Sequence, residues 1–220
     1  NGTAFGTTNL VDAPKGDYIQ AGFEGRVWIA DKTTDRLYYS YVVSTTGLIS
    51  WPAIPQYIEK LSPQDGQQIT GLFRVPRALL VFKENSIFRV YGATSLDPYP
   101  AYNVGTYSQE SIVQAKDGVY FHHSSGFYKF SYDGQPQEIS RRIKDFVKAI
   151  PRANYEDVNG MYDGSDAISW SVGDITVGGV RFEKCILRFS ISSLVWTIYD
   201  LSTTGVTKAM MMYDDGVNLV

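Results

Sequence analysis

Apolar and polar positions alternate along this chain in short runs, and the runs come in pairs. "GRVWIADKTTDRLYYSYVV" (25–43) reads as strand, polar turn, strand. "RALLVFKENSIFRVYG" (77–92) repeats the pattern, with its turn at 83–86. "DGVYFHHSSGFYKFSYDG" (117–134) repeats it again, bounded by the turn signals Asp117-Gly118 and Asp133-Gly134 and divided near Gly126. Runs of β-branched and aromatic residues between such clusters predict β-hairpins. Strands are expected at 27–29, 37–41, 79–82, 87–91, 119–122 and 127–131, antiparallel in successive pairs. The opening stretch reads as one more hairpin. "DAISWSVGDITVGGVRFEKCILRFS" (166–190) reads as another with a longer connection, and "YDDGVNLV" as the start of a fifth.

The hairpins recur at a steady spacing. Short apolar segments precede them at Ile69, Ile112, Val158 and Val206, at intervals of 43, 46 and 48 residues. Extended segments follow them: "AYNVGTY", "QPQEIS" and "VWTIYDLS". Four strands per unit at this period predict propeller blades, since a lone sheet that is apolar on both faces must stack on its neighbours. The expected fold is all-β: a β-propeller-like array of four-stranded antiparallel blades with one short helix. Residues 1–220 are expected to hold four to five blades and to be a portion of a longer chain. Tyr120, His122, Tyr128, Phe130 and Tyr132 are expected on blade faces.

Two segments interrupt the pattern. "ISRRIKDFVKAIP" predicts a helix over 141–150, with Ser140 as N-cap, Ile143, Phe146, Val147 and Ile150 as its apolar stripe and Pro151 at its end. Residues 44–66 contain several prolines and read as a long loop held down by Trp51, Ile54, Tyr57 and Ile58. Long ordered loops are often interaction surfaces.

Composition narrows the chemistry. The net charge of -3 argues against broad binding to phosphate backbones. No run reaches the roughly 20 apolar residues a membrane-spanning helix needs. The single cysteine, Cys185, excludes an internal disulfide and reads as a buried, inert thiol. The two histidines, His122 and His123, are adjacent on one strand, so their rings point to opposite faces and cannot share one metal or substrate. They are expected to be part of a strand pair, with His122 hydrogen-bonded between blades. No G-x-S-x-G elbow or phosphate-cradling loop occurs, and the carboxylates fall mostly at turns. "YDGSD" and "YDDG" lack the full ligand spacing of a calcium loop. No catalytic, cofactor-binding or metal-ligating residue is assigned.

"GRVWIADKTTDRLYYS", "ITGLFRVPRALLVFKENSIFRVYG" and "SIVQAKDGVYFHHSSGFYKFSYDGQPQEISRRI" resemble, in that order, the succession in bacteriophage tail tubular or nozzle proteins. The resemblance covers about residues 25–143. It implies a structural, non-enzymatic virion protein of the tail hub: a homo-oligomeric ring lining the DNA exit channel, passing phage DNA transiently and touching neighbouring adaptor or portal proteins. No cofactor and no membrane insertion by this segment are expected. The candidate partner contacts are Trp51, Tyr57, Arg141, Arg142 and Phe146. The alternative is a carbohydrate-binding or glycoside-acting β-propeller, whose carboxylates would converge with exposed aromatics. An interaction propeller of the eukaryotic kind is a third reading, weakened by the lack of a G-H…W-D signature.

Overall fold

Period-two alternation sorts the side chains of each strand between two faces. In the strand Arg26–Asp31, Trp28 and Ala30 enter one core while Val27 and Ile29 enter another. A sheet with two apolar faces has to be covered on both, which is why these hairpins stack as blades. The computed structural model describes residues 13–52, 57–58, 61, 65–91, 95–96, 102–131, 135–202 and 208–212, with only the backbone of 57–58, 95–96 and 208–212.

The described residues form four antiparallel sheets, each in chain order. The first blade is β1 (Tyr18–Phe23), β2 (Arg26–Asp31), β3 (Arg36–Tyr39) and β4 (Tyr57–Ile58). The second is β5 (Ile69–Val75), β6 (Ala78–Lys83), β7 (Ile87–Tyr91) and β8 (Ser95–Leu96). The third is β9 (Val113–Ala115), β10 (Gly118–His123), β11 (Gly126–Phe130) and β12 (Gln137–Glu138). The fourth is β13 (Asn159–Tyr162), β14 (Ala167–Val177), β15 (Val180–Ser190) and β16 (Trp196–Asp200), extended by β17 (Lys208–Met212). The fold is the all-β, propeller-like array of blades with one short helix, α1 (Lys144–Ala149), that the hairpin period predicts. Among the described residues no helix is long and apolar enough to cross a membrane.

Several elements differ from expectation. Residues 44–66 are not wholly loop, because Tyr57–Ile58 pairs with β3 and completes the first blade. The fourth hairpin has no long connection: Gly178 and Gly179, at φ 56° and 83°, close it as a two-residue turn of the kind that needs two positive φ angles. The length lies in the strands themselves, 11 residues each, with register shifts between Ser171 and Ile175. The segment around Met210 pairs with β16 as a fifth strand of the fourth sheet. The helix begins as a 3-10 turn at Arg141–Ile143, and Ser140 does not cap it by its side chain. The Ser140 hydroxyl accepts instead from the Phe127 N–H at 2.9 Å, tying the helix entry to β11. Tyr132 and "YDDGVNLV" lie outside the described residues.

The chain divides into two compact units, Asn1–Asn103 and Val104–Val220. In the first, one core joins the two blades through Trp28, Leu37, Leu72, Leu79, Val81 and Phe88. Lys83, fully buried, spans the same pair of blades, with its ammonium 3.1 Å from Asp35 and 3.0 Å from Asp65. In the second unit, Phe127 of β11 packs its ring 4.7 Å from Trp170 and 5.4 Å from Trp196. Burying side chains of this size contributes about 2–3 kcal/mol each. The two indoles also cross between blades: Trp170 Nε1 donates to the Ser111 carbonyl and Trp196 Nε1 to that of Ile139, each at 3.0 Å. Helix α1 is far too short to be stable alone. It is held by Phe146 and Val147, with Ile143 and Ile150 beside them, in the same core.

Candidate functional site

In an antiparallel blade, the turn between the first and second strands and the turn between the third and fourth lie at the same end. In the second unit this end carries a cleft of about 340 Å³ between the third and fourth blades. The short turn joining β9 to β10 supplies Asp117, and the turn joining β15 to β16 supplies Ile191 and Leu194. A row of cross-strand neighbours forms one wall. Tyr120 of β10 pairs with Lys129 of β11, and Lys129 pairs with Gln137 of β12. Directly opposed residues share a face of the sheet, so all three project to the same side.

This geometry gives the cleft a defined polar pattern. The Lys129 ammonium lies 2.7 Å from Asp117 and 5.8 Å from the centre of the Tyr120 ring. The Tyr120 hydroxyl donates to Asp117, 3.1 Å from each carboxylate oxygen. Burial, and then the charge of Asp117, push that phenol well above its ordinary range, so it stays a donor. Glu138 accepts from Arg141 at 3.4 Å, and Arg142 donates to the Leu194 carbonyl at 3.2 Å. The Tyr120 and Phe189 rings, 6.3 Å apart, form the apolar floor. Glu138 pairs with Tyr128, so its carboxylate lies on the opposite face of the sheet, near Gly126. The cleft therefore presents the Asp117 carboxylate, cationic donors and an amide around an aromatic base.

Two of the five expected contact residues, Arg141 and Arg142, line this cleft. Trp51 is 7 % exposed and packs with Val27, Ile29 and Tyr38 on its own blade. Phe146 is 5 % exposed and meets Phe182 edge-on at 5.3 Å in the core. For Tyr57 only the backbone is described, in β4. Cys185 is buried, and burial pushes its thiol up to about 12. Asp117, Lys129 and Glu138 were not singled out in the sequence, although the hairpin register would have found the wall. His123 opposes Gly126 across Ser124 and Ser125, and counting back from there pairs Tyr120 with Lys129. Placing the turn only near Gly126 leaves that register open.

The histidines sit at the opposite end of the third blade, as part of the β10–β11 hairpin. His123 Nδ1 is 2.7 Å from the Ser125 hydroxyl, which is 2.8 Å from that of Tyr128. His122 is fully buried between Phe127, at 5.0 Å, and Tyr155, at 5.3 Å. It does face the segment leading to the fourth blade, but the expected hydrogen bond is missing: neither ring nitrogen has a partner among the described residues. Burial lowers His122 to about 3 and His123 to about 4. Among the described residues no three His, Cys, Asp or Glu side chains gather as a metal set.

No family model matches the chain, and no curated protein matches it. Among solved structures it is similar to virginiamycin B lyase from Staphylococcus aureus, at 13% identity and a TM-score of 0.48 over 87% of this chain and 68% of that one. It is also similar to a catalytically inactive form of that lyase with quinupristin, at 13% identity and a TM-score of 0.47 over 88% of this chain and 68% of that one. A streptogramin B lyase structure aligns at 14% identity and a TM-score of 0.45 over 90% and 68%. These findings correct the expectation of a phage tail nozzle protein. The neighbours found are lyases and not virion components, so the virion location, the structural role in DNA passage and the non-enzymatic assignment find no support among them and are not carried further. The motifs behind that expectation are β-hairpin sequences, which any blade of this kind requires. The reactions of these lyases belong to those proteins.

Proposed function

We propose that this chain is a carbohydrate-recognising β-propeller protein and that the cleft of its second unit takes an acidic sugar. One observation carries the reading: the row Tyr120–Lys129–Gln137 shares a cleft with Asp117, Arg141 and Arg142 over an aromatic floor. A sugar presents hydroxyls that donate and accept, above carbon–hydrogen faces that pack on aromatic rings. Carboxylates, amides and cations around such rings complement both features. Lys129, Arg141 and Arg142 outweigh the Asp117 carboxylate, a positive surplus that favours a sugar bearing a carboxylate of its own.

The test is a glycan panel containing uronic and sialic acids, followed by calorimetry on the hits. Acidic glycans should bind, and Lys129→Ala should weaken binding about tenfold, the effect of losing one charge-assisted contact. Absence of binding across the panel, or binding untouched by both Lys129→Ala and Arg141→Ala, would contradict the proposal.

A further inference from the structure

The second and third blades repeat one another without a gap across their central hairpins. β5 meets β6 at Val75 and Ala78, and β9 meets β10 at Ala115 and Gly118. Counting from these turns, residues 78–90 match 118–130. His122 therefore holds the place of Phe82, and both are fully buried. The fold asks for an apolar ring at this position. An imidazole there forfeits its hydrogen bonds to water and, at His122, gains none in return among the described residues. Leaving a buried polar group unsatisfied costs about 1–3 kcal/mol. A stability role does not account for the substitution, because phenylalanine fills the same slot without that cost.

His122 is covered from a segment that has no buried residue. It lies at the end of the blade where the chain enters β9 and where β10 turns into β11. The side chain covering it is Tyr155, half-buried, on a 3-10 turn (Arg152–Asp157) none of whose residues is buried. Tyr107, also half-buried, leans on Tyr155 at 5.3 Å and stacks on His123 at 6.4 Å. Tyr155 reaches the core only as a half-buried side chain, and swinging it outward would expose an imidazole edge beside Phe127.

We propose that this end of the third blade is a second binding site, in which Tyr155 swings aside and His122 hydrogen-bonds the hydroxyl of a small phenol lying against Phe127. An uncharged imidazole offers one acceptor and one donor, and a hydroxyl can serve either. A flat aromatic body fits a slot bounded by rings, where stacked or edge-on contacts add to burial. This site lies at the opposite end of the blade from the cleft and does not rest on the sugar reading.

The experiment uses the full chain labelled with nitrogen-15 and follows the ring nitrogens of both histidines while phenol is added. A saturable displacement of the His122 nitrogens is expected, with that of His123 smaller. His122→Phe, which restores the residue of the neighbouring blade, should melt about 3 °C or more above the parent, as relief of an unsatisfied group predicts. The same variant should bind phenol at least about tenfold more weakly by calorimetry, the loss of one hydrogen bond in a buried site. His122 nitrogens that stay still through millimolar phenol, or equal binding by His122→Phe, would overturn the proposal. A free-protein spectrum showing the His122 nitrogens already hydrogen-bonded and indifferent to phenol would overturn it too, and would place a buried water there.

Discussion

The hidden charges of this protein make its residue-scale behaviour testable. Lys83 is fully buried with Asp35 and Asp65 at about hydrogen-bond distance, and Asp35 also accepts from the Ile69 N–H. Removing the charge that a buried network shares leaves the remaining groups uncompensated, at a cost of about 3–5 kcal/mol. Lys83→Met takes the cation from both carboxylates, whereas Asp35→Ala leaves Asp65 on the ammonium, so Lys83→Met should shift urea unfolding more than Asp35→Ala does; the reverse order would deny that Lys83 ties the two carboxylates together. The histidines act through pH. The ordinary imidazole titrates near 6.5, but the folded state holds His122 at about 3 and His123 at about 4. The unfolded chain therefore binds protons first as pH falls. Stability from these groups is complete above about pH 6.5, declines from there toward the His122 value of about 3, and loses nothing more to them below it. The melting temperature should fall across that window, and His122→Phe should flatten part of the fall. The depressed carboxylates Asp163, Asp166 and Asp174 contribute at lower pH, because their stabilisation is lost only as pH drops through the acidic range.

At the scale of elements, helix α1 acts as a packing piece of the fourth blade. Phe146 is its main anchor, and cutting it to alanine should cost about 3 kcal/mol by cavity formation, read as a lower urea midpoint with unchanged slope. An effect under about 0.5 kcal/mol would mean the helix is surface decoration. The strands themselves were largely legible in the sequence, because alternation and turn residues are local signals. The six expected strand cores fall within β2, β3, β6, β7, β10 and β11, apart from the last two residues of the second and the last of the sixth. What was not legible depends on distant partners. Tyr57–Ile58 becomes a strand only because β3 offers an open edge, and β17 joins β16 for the same reason. Ser140 has the composition of a cap, yet its hydroxyl is taken by Phe127 from another strand. The site was legible only in fragments: Arg141 and Arg142 stood out as a basic pair. Asp117 read as a turn residue and Lys129 as an ordinary strand position until register set them 2.7 Å apart.

At the scale of the whole molecule, four blades in two units supply surfaces at both ends of the sheets, and the second unit uses them differently. One end carries charge over an aromatic floor; the other carries buried histidines under tyrosines. The central claim is that the charged cleft is where a sugar binds. Its most direct test is a structure of the full chain with the tightest acidic glycan found by the panel. The account predicts the glycan ring over Tyr120 and Phe189, with its carboxylate on Lys129 or Arg141. A well-occupied glycan anywhere else on the molecule, the histidine end of the third blade included, would contradict it.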